Sequence, residues 1–133
     1  MTDGLGGPAA ARKLCFLILH TGVIELADCA IPILHALTAS AMECEVEMYF
    51  IGSGVCILSE HGADAVELRE LNRSLVTLLD EARDSGIRIY ACTSAWKAHL
   101  PSGTTLSTRC SGFAGAATYM GRAMDPAWRV LSY

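Results

Sequence analysis

Cysteine is the residue type in this chain with the most chemical potential. The six cysteines are Cys15, Cys29, Cys44, Cys56, Cys92 and Cys110. None lies in a CxxC pair and none has zinc-finger spacing to a histidine, which disfavours both thioredoxin chemistry and structural zinc. We expect no secretion signal, and an aliphatic chain makes a poor disulfide scaffold, so reduced thiols are favoured. The position of each cysteine in the fold must therefore indicate which one reacts.

The residues around Cys92 are the most informative in the chain. Residues 87–91 predict a buried strand that ends at Cys92, and Thr93 and Ser94 follow directly as accessory candidates. We expect the thiol to face the backbone amides of a turn or helix start, which favour the thiolate and lower the cysteine pKa. Such a thiolate can attack the outer sulfur of a donor persulfide and carry it as Cys–S–S⁻. The alternative is an inert core thiol, because unpaired cysteine is among the most buried residue types.

Other side chains have weaker functional claims. Cys56 or Cys110 could resolve a Cys92 persulfide as a disulfide, although an unpaired thiol is the simpler interpretation of each. His99 could assist proton transfer near pH 7, or it is a solvated loop histidine. His20 ends the first predicted strand, at the same edge of the sheet as Cys92.

Several polar residues are assigned structural roles. Glu43, Glu45 and Glu47 precede or enter a strand and are interpreted as solvated carboxylates rather than an acid/base pair. Residues 52–54 (GSG) lack the lysine of a P-loop and the third glycine of a dinucleotide fingerprint, so a plain turn is favoured. His35 is assigned to the surface or to an interface on the first helix.

Hydrophobic periodicity predicts alternating strands and helices. The predicted strands are residues 13–19, 45–51, 87–91, 113–117 and 128–131. The predicted helices are residues 24–41, with Pro32 near the start or at a kink, 66–85, with Asp64 as N-cap and Gly86 just past the end, and 118–124. Residues 97–112 are polar and predict a loop or a short helix.

This alternation specifies a single α/β domain of the flavodoxin-like type. Apolar strands joined by helices favour a mostly parallel five-stranded sheet covered by helices on both faces. Ligands and chemistry collect at the carboxyl ends of such strands. Cys92 lies at that edge and Cys56 and Cys110 could reach it, whereas Cys15 lies inside the first strand.

Length and composition limit the classes of function. The chain has 133 residues, of which 52% are hydrophobic and 18% charged, with a net charge of −4. The high hydrophobic and low charged fractions exclude disorder. The length predicts one domain over residues 12–133, preceded by a flexible tail at 1–11. The negative net charge argues against nucleic-acid binding. His20, Glu25 and Asp28 interrupt the first apolar run, so neither a signal peptide nor a membrane span is predicted and we expect a cytoplasmic protein.

Four segments together resemble the DsrE/DsrF-like sulfur-relay family. They are residues 13–19 (KLCFLIL), 41–50 (AMECEVEMYF) leading into 52–55 (GSGV), 86–92 (GIRIYAC) and 112–118 (GFAGAAT). The resemblance extends from about residue 13 to residue 133. It is specific because the four segments occur in this order and a cysteine ends the third strand. The polar insert at 97–111, with His99 and Cys110, departs from the family pattern and leaves the partner open.

The resemblance implies a role in sulfur transfer. It assigns the sulfur acceptor to Cys92 alone, and it implies a homo-oligomer or hetero-oligomer, often a trimer or hexamer. Family members pass persulfide sulfur between proteins in sulfur oxidation or tRNA thiolation, without a metal or organic cofactor. We therefore expect a sulfur carrier or sulfurtransferase, with independent turnover left open. The alternatives are a thiol-disulfide or peroxide-handling protein using Cys92 with Cys110 or Cys56, and a non-catalytic assembly subunit.

Overall fold

A five-stranded parallel sheet forms the centre of the fold. The computed structural model describes residues 12–20 and 26–133, so the predicted tail at 1–11 lies outside the described residues. The strands are β1 (Lys13–His20), β2 (Glu45–Gly52), β3 (Glu67–Leu68), β4 (Arg73–Ser74), β5 (Arg88–Cys92), β6 (Gly112–Ala114) and β7 (Trp128–Ser132). All except β3 and β4 belong to the sheet, in the order β6-β5-β2-β1-β7, and every neighbouring pair in it is parallel. The predicted α/β sheet is confirmed.

Helices connect these strands. They are α1 (Ala30–Ala41), α2 (Leu75–Asp84), α3 (Thr93–His99) and α4 (Ala116–Met124). Shorter 3₁₀ turns lie at Leu26–Cys29, Ser53–Leu58 and Arg69–Leu71. Pro32 lies in the first turn of α1, where its missing N–H breaks no helical hydrogen bond. Residues 24–25 of the first predicted helix lie outside the described residues.

The two faces of the sheet differ in their covering. In a parallel sheet, paired residues point to the same side, and successive residues alternate between sides. Phe16 and Met48 are paired and belong to the larger core, together with Ile33 of α1 and Leu78 of α2. The opposite face carries a smaller buried cluster of Cys15, Tyr49, Ala114 and Trp128, with Tyr119 of α4 packed against it. Helices therefore lie on both sides, as predicted.

The predicted helix at residues 66–85 is wrong in its first half. Only Leu75–Asp84 is helical, and the preceding residues form the antiparallel β3–β4 pair with a 3₁₀ turn between them. Asn72 adopts a left-handed conformation with φ of 51°, which no α-helix accommodates. The N-cap is Ser74, whose hydroxyl accepts a hydrogen bond from the Thr77 amide at 3.2 Å, and not the predicted Asp64.

The remaining boundaries are close to those predicted. Gly86 directly follows the C-cap of α2 with φ of 85°, in the left-handed region that glycine favours at this position. The polar segment at 97–112 contains the end of α3 and then a loop. The fourth predicted strand ends early, at Ala114, because α4 begins at Ala116 rather than at Thr118.

Candidate functional site

Cys92 joins strand to helix without an intervening loop. It is the last residue of β5 and the N-cap of α3, with extended φ and ψ of −67° and 125°. The backbone therefore turns at Cys92 itself, which leaves the first amides of α3 facing the sulfur side of the turn. Cys92 itself is 5% exposed, whereas Ser94, two residues further on, is exposed to solvent. This is the strand-end position that the sequence predicts.

Hydrogen bonds lower the pKa of Cys92. Burial by itself raises the pKa of the thiol, because it disfavours the charged form. The Ser94 hydroxyl, whose Oγ lies 3.3 Å from Cys92 Sγ, acts in the opposite direction. The backbone amides of Ala95 and Ser94 and the hydroxyl of Tyr119 also stabilise the thiolate. The net result is a pKa below the usual value for cysteine, which makes Cys92 a candidate nucleophile.

Tyr119 is the site residue that sequence reasoning missed. It lies on α4, and its hydroxyl helps to lower the pKa of Cys92, while burial and the nearby thiolate raise the pKa of Tyr119 itself. No local sequence signal marks Tyr119, because its place depends on the pairing of Ala114 with Cys92 across β6 and β5 and on α4 beginning two residues after Ala114. A helix starting there begins beside the end of β5.

The other predicted accessory residues have different surroundings. Thr93 is the exposed first residue of α3. Cys56 lies partly buried in the 3₁₀ turn after β2, and Cys110 lies partly buried in the loop before β6. Burial raises the pKa of Cys56, and it raises the pKa of Cys110 to about 12. Both are free thiols in the structure, and their part in the chemistry stays a prediction.

Among the described residues, no histidine side chain forms a hydrogen bond with Cys92. His99 is the exposed last residue of α3. His20 ends β1 opposite Gly52, at the carboxyl edge as predicted, and its side chain lies outside the described residues. His35 is exposed on α1, with Nδ1 2.7 Å from the hydroxyl of Tyr133.

The prediction that Glu47 is a solvated carboxylate is wrong. Its side chain is 2% exposed in the middle of β2, and Arg122 donates to both carboxylate oxygens at 2.7 and 3.1 Å. The Tyr49 hydroxyl donates at 2.8 Å, and a nitrogen of Arg88 lies 2.8 Å away. Burial raises the Glu47 pKa, but the hydrogen bonds from Arg122 and Tyr49 and both positive charges hold it below its usual value. Glu47 is therefore a buried, paired carboxylate.

Neither a metal-binding cluster nor a membrane-spanning helix is found among the described residues. Among them, no group of three or more His, Cys, Asp or Glu side chains could hold a metal ion. Within the same ranges, no helix has both the length and the apolar character needed to cross a membrane.

Comparison with known proteins identifies the family of this chain. The DsrE/DsrF-like family model matches residues 13–100, so the chain belongs to the DsrE/DsrF-like family. A protein of unknown function, MTH1491 from Methanobacterium thermoautotrophicum, has a similar structure, with a TM-score of 0.65 and 15% identity over 92% of this chain and 99% of that one. At that identity the likeness shows a shared fold. A search of curated proteins finds no match.

Proposed function

We propose that this protein is a sulfur carrier or sulfurtransferase that accepts sulfur as a persulfide on Cys92 and passes it to a partner protein. The observation that supports the proposal best is the hydrogen-bonded thiol between β5 and α3, with a pKa held below its ordinary value. Membership of the DsrE/DsrF-like family, which is associated with sulfur relay, supports the same role. The chemistry needs only a thiolate and donors that stabilise sulfur anions.

Each transfer step is an exchange between sulfur atoms. The Cys92 thiolate attacks the outer sulfur of a donor persulfide, R–S–SH, forming a new S–S bond while the bond between the two donor sulfurs breaks. The donor leaves as a thiolate and takes up the proton, so Cys–SH and R–S–SH become Cys–S–SH and R–SH without net oxidation. An acceptor thiolate then attacks the outer sulfur of the loaded Cys92, and Cys92 leaves as the thiolate.

The donors around Cys92 fit both forms of the site. The Ser94 hydroxyl, the backbone amides of Ser94 and Ala95 and the Tyr119 hydroxyl stabilise the thiolate before loading. After loading, the negative charge lies on a sulfur about 2 Å further out, within reach of donors that surround the same turn. Stabilising that anion protects the Cys92 persulfide from losing its outer sulfur to small thiols in solution.

Mass spectrometry tests the acceptor directly. Reduced protein is incubated with a persulfide or polysulfide donor, and intact and peptide masses are compared with those of Cys92→Ser. We expect a gain of about 32 Da on the peptide containing Cys92 and no gain at that position in the variant. Cys15→Ser serves as the matched control, because Cys15 is fully buried inside β1 and burial raises its pKa to about 11. Sulfur spread evenly over all six cysteines, or none added, would refute the relay.

An intrachain disulfide in the same experiment favours the thiol-disulfide alternative. Mild oxidation linking Cys92 to Cys56 or Cys110 would assign the protein to thiol-disulfide or peroxide chemistry. Burial raises the pKa of both candidate partners, which makes them slow nucleophiles toward Cys92. Inert thiols together with stable hetero-oligomers would instead indicate a non-catalytic assembly subunit.

We also propose that the protein works as an oligomer. Apolar side chains of α4 remain exposed on the side of the smaller core cluster, with Met120 at 51% and Met124 at 81%, and Phe113, which packs against Trp96 of the larger core, is 49% exposed. Light scattering coupled to gel filtration should give the mass of a trimer or hexamer. Met124→Glu should shift that mass toward the monomer, whereas the control Ile31→Glu on α1 should not. A monomeric wild-type protein would contradict this part of the proposal.

A further inference from the structure

We propose that the buried Glu47–Arg122 ion pair positions Tyr119 against Cys92, and that Tyr119 is a further catalytic residue of the sulfur site. This inference deepens the proposed function and rests on it, because Cys92 is taken as the reacting atom. Cys92 pairs with Ala114, and Tyr119 packs against the buried cluster to which Ala114 belongs, so its hydroxyl lies on the side of the sheet to which Cys92 points. Tyr119 lowers the pKa of the thiol, whereas Glu47 and Arg122 act on it only through α4.

Helix α4 needs a specific attachment because apolar packing holds it weakly. None of its nine residues is buried, although it covers the sheet face that carries the smaller core cluster. Arg122 supplies the attachment by donating to both oxygens of Glu47, whose side chain is 2% exposed. The same guanidinium lies 4.5 Å from the centre of the Trp128 ring on β7. A two-point hydrogen bond to a rigid central strand fixes the orientation of the helix as well as its distance.

Tyr119 lies one turn before Arg122 on the same side of α4. Residues three apart on a helix share a face, so the contact that fixes Arg122 also fixes the direction of Tyr119. A second path leads through Tyr49, whose hydroxyl donates to Glu47 at 2.8 Å. The Tyr49 ring packs against the Tyr119 ring with centroids 5.7 Å apart and planes tilted by 52°. Glu47 therefore supports Tyr119 from the helix and from the sheet.

This placement provides a neutral donor for a sulfur anion. The hydroxyl of Tyr119 stabilises the thiolate of Cys92 and is protonated at neutral pH, as tyrosine ordinarily is, and burial and the thiolate raise its pKa further. A tyrosine supplied from a separate helix can follow the negative charge onto the outer sulfur of the persulfide. Ser94 is confined to the first turn of α3, so the two donors are not redundant.

The rate of alkylation of Cys92 against pH tests the inference. Peptide-resolved mass spectrometry follows iodoacetamide labelling of Cys92 in wild-type protein, Tyr119→Phe, Arg122→Lys and the double variant. Arg122→Lys keeps the positive charge beside Glu47 but loses the two-point hydrogen bond. The matched controls are Tyr133→Phe, which loses its contact with His35, and Arg83→Lys, whose side chain forms exposed ion pairs on α2.

We expect Tyr119→Phe and Arg122→Lys each to raise the midpoint of the alkylation profile by about one pH unit, which corresponds to roughly tenfold slower labelling on the acidic side. The double variant should behave like Tyr119→Phe alone, because Arg122 acts through Tyr119. The two controls should leave the profile unchanged. Circular dichroism checks folding, and Glu47→Asp, which withdraws the carboxylate by one methylene, is the second variant if Arg122→Lys fails to fold.

Three results would overturn the inference. An unchanged profile in Tyr119→Phe would remove Tyr119 from the site, and an unchanged profile in Arg122→Lys and Glu47→Asp would remove the ion pair. Fully additive shifts in the double variant would mean that Arg122 acts independently of Tyr119. Alkylation does not depend on sulfur transfer, so a wild-type protein that accepts no sulfur but shows the expected shifts would refute only the proposed function.

Discussion

Ser94 Oγ lies 3.3 Å from Cys92 Sγ, and a single residue separates the two along the chain. The contact is possible because β5 ends and α3 begins at the same residue, so the first helical turn folds back over the sulfur. A hydroxyl at this distance from a mostly buried thiol stabilises the thiolate, and it does so without any element from elsewhere in the chain.

Replacing Ser94 with alanine should raise the pKa of Cys92. The variant loses one hydrogen bond to the thiolate, worth about 1 kcal/mol, so labelling of Cys92 at neutral pH should slow about fivefold. Iodoacetamide labelling followed by peptide mass spectrometry measures the rate. Thr93→Ala is the control, since Thr93 is exposed and adjacent in sequence, and it should label at the wild-type rate. Equal slowing in both variants would show that the contact with Ser94 is not the cause.

The pH dependence of labelling should separate Cys92 from the buried cysteines. The thiolate is the reacting form, so a lowered pKa moves labelling of Cys92 to lower pH. Burial, reinforced by the Glu47 carboxylate, raises the pKa of Cys15 to about 11, and burial raises that of Cys110 to about 12. Between about pH 6 and 9, native protein should therefore label at Cys92 well before these two positions. Labelling of Cys110 with the same midpoint as Cys92 would contradict the assignment.

Local sequence signals predict the site only in part. Cys92 and Ser94 could be recognised because both belong to one strand-to-helix junction, whose apolar strand and following polar residues are adjacent in sequence. Tyr119 and the buried state of Glu47 could not, because they depend on α4 folding back across the sheet. Glu47 alternates with apolar residues, as a solvated strand residue would. Its carboxylate can be buried because Arg122 forms an ion pair with it.

The error at residues 66–85 has a similar origin. Leu68, Leu71 and Leu75 continue the helical spacing of α2 toward the N-terminus, yet Leu68 is buried from a strand and Leu71 is 37% exposed. Pairing of Glu67 with Ser74 and the left-handed Asn72 replace the first turns of the predicted helix. Hydrophobic periodicity alone does not distinguish a helix that begins near residue 66 from one that begins at Leu75. The N-cap residue Ser74 does mark the shorter helix.

Ser74→Ala should therefore destabilise the protein more than Asp64→Ala. The Ser74 hydroxyl accepts from the Thr77 amide at the start of α2, and loss of such a cap costs about 1 kcal/mol in free energy of unfolding. Asp64 contacts the exposed ring of His61 and caps no helix, so its removal should cost less than about 0.5 kcal/mol. Urea denaturation of the two variants compares them. A larger loss for Asp64→Ala would favour the longer helix.

Gly62→Ala should lower stability through a clash with backbone. A Cβ at residue 62 would lie 1.9 Å from the carbonyl oxygen of Cys56 and 2.4 Å from Ser59 Oγ. The carbonyl belongs to the 3₁₀ turn that follows β2 and packs against α3, so it cannot withdraw without moving elements beside Cys92. We expect a loss of about 2 kcal/mol in free energy of unfolding, measured by urea denaturation.

Gly121→Ala on α4 is the matched control for that clash. No heavy atom lies within 4 Å of the Cβ it would add, and alanine favours helix over glycine, so a gain of up to about 1 kcal/mol is expected. Opposite signs for the two substitutions would locate the cost at the Cys56 carbonyl. If Gly62→Ala were as stable as the wild type, the turn after β2 would have to shift easily, and the labelling profile of Cys92 should then change with it.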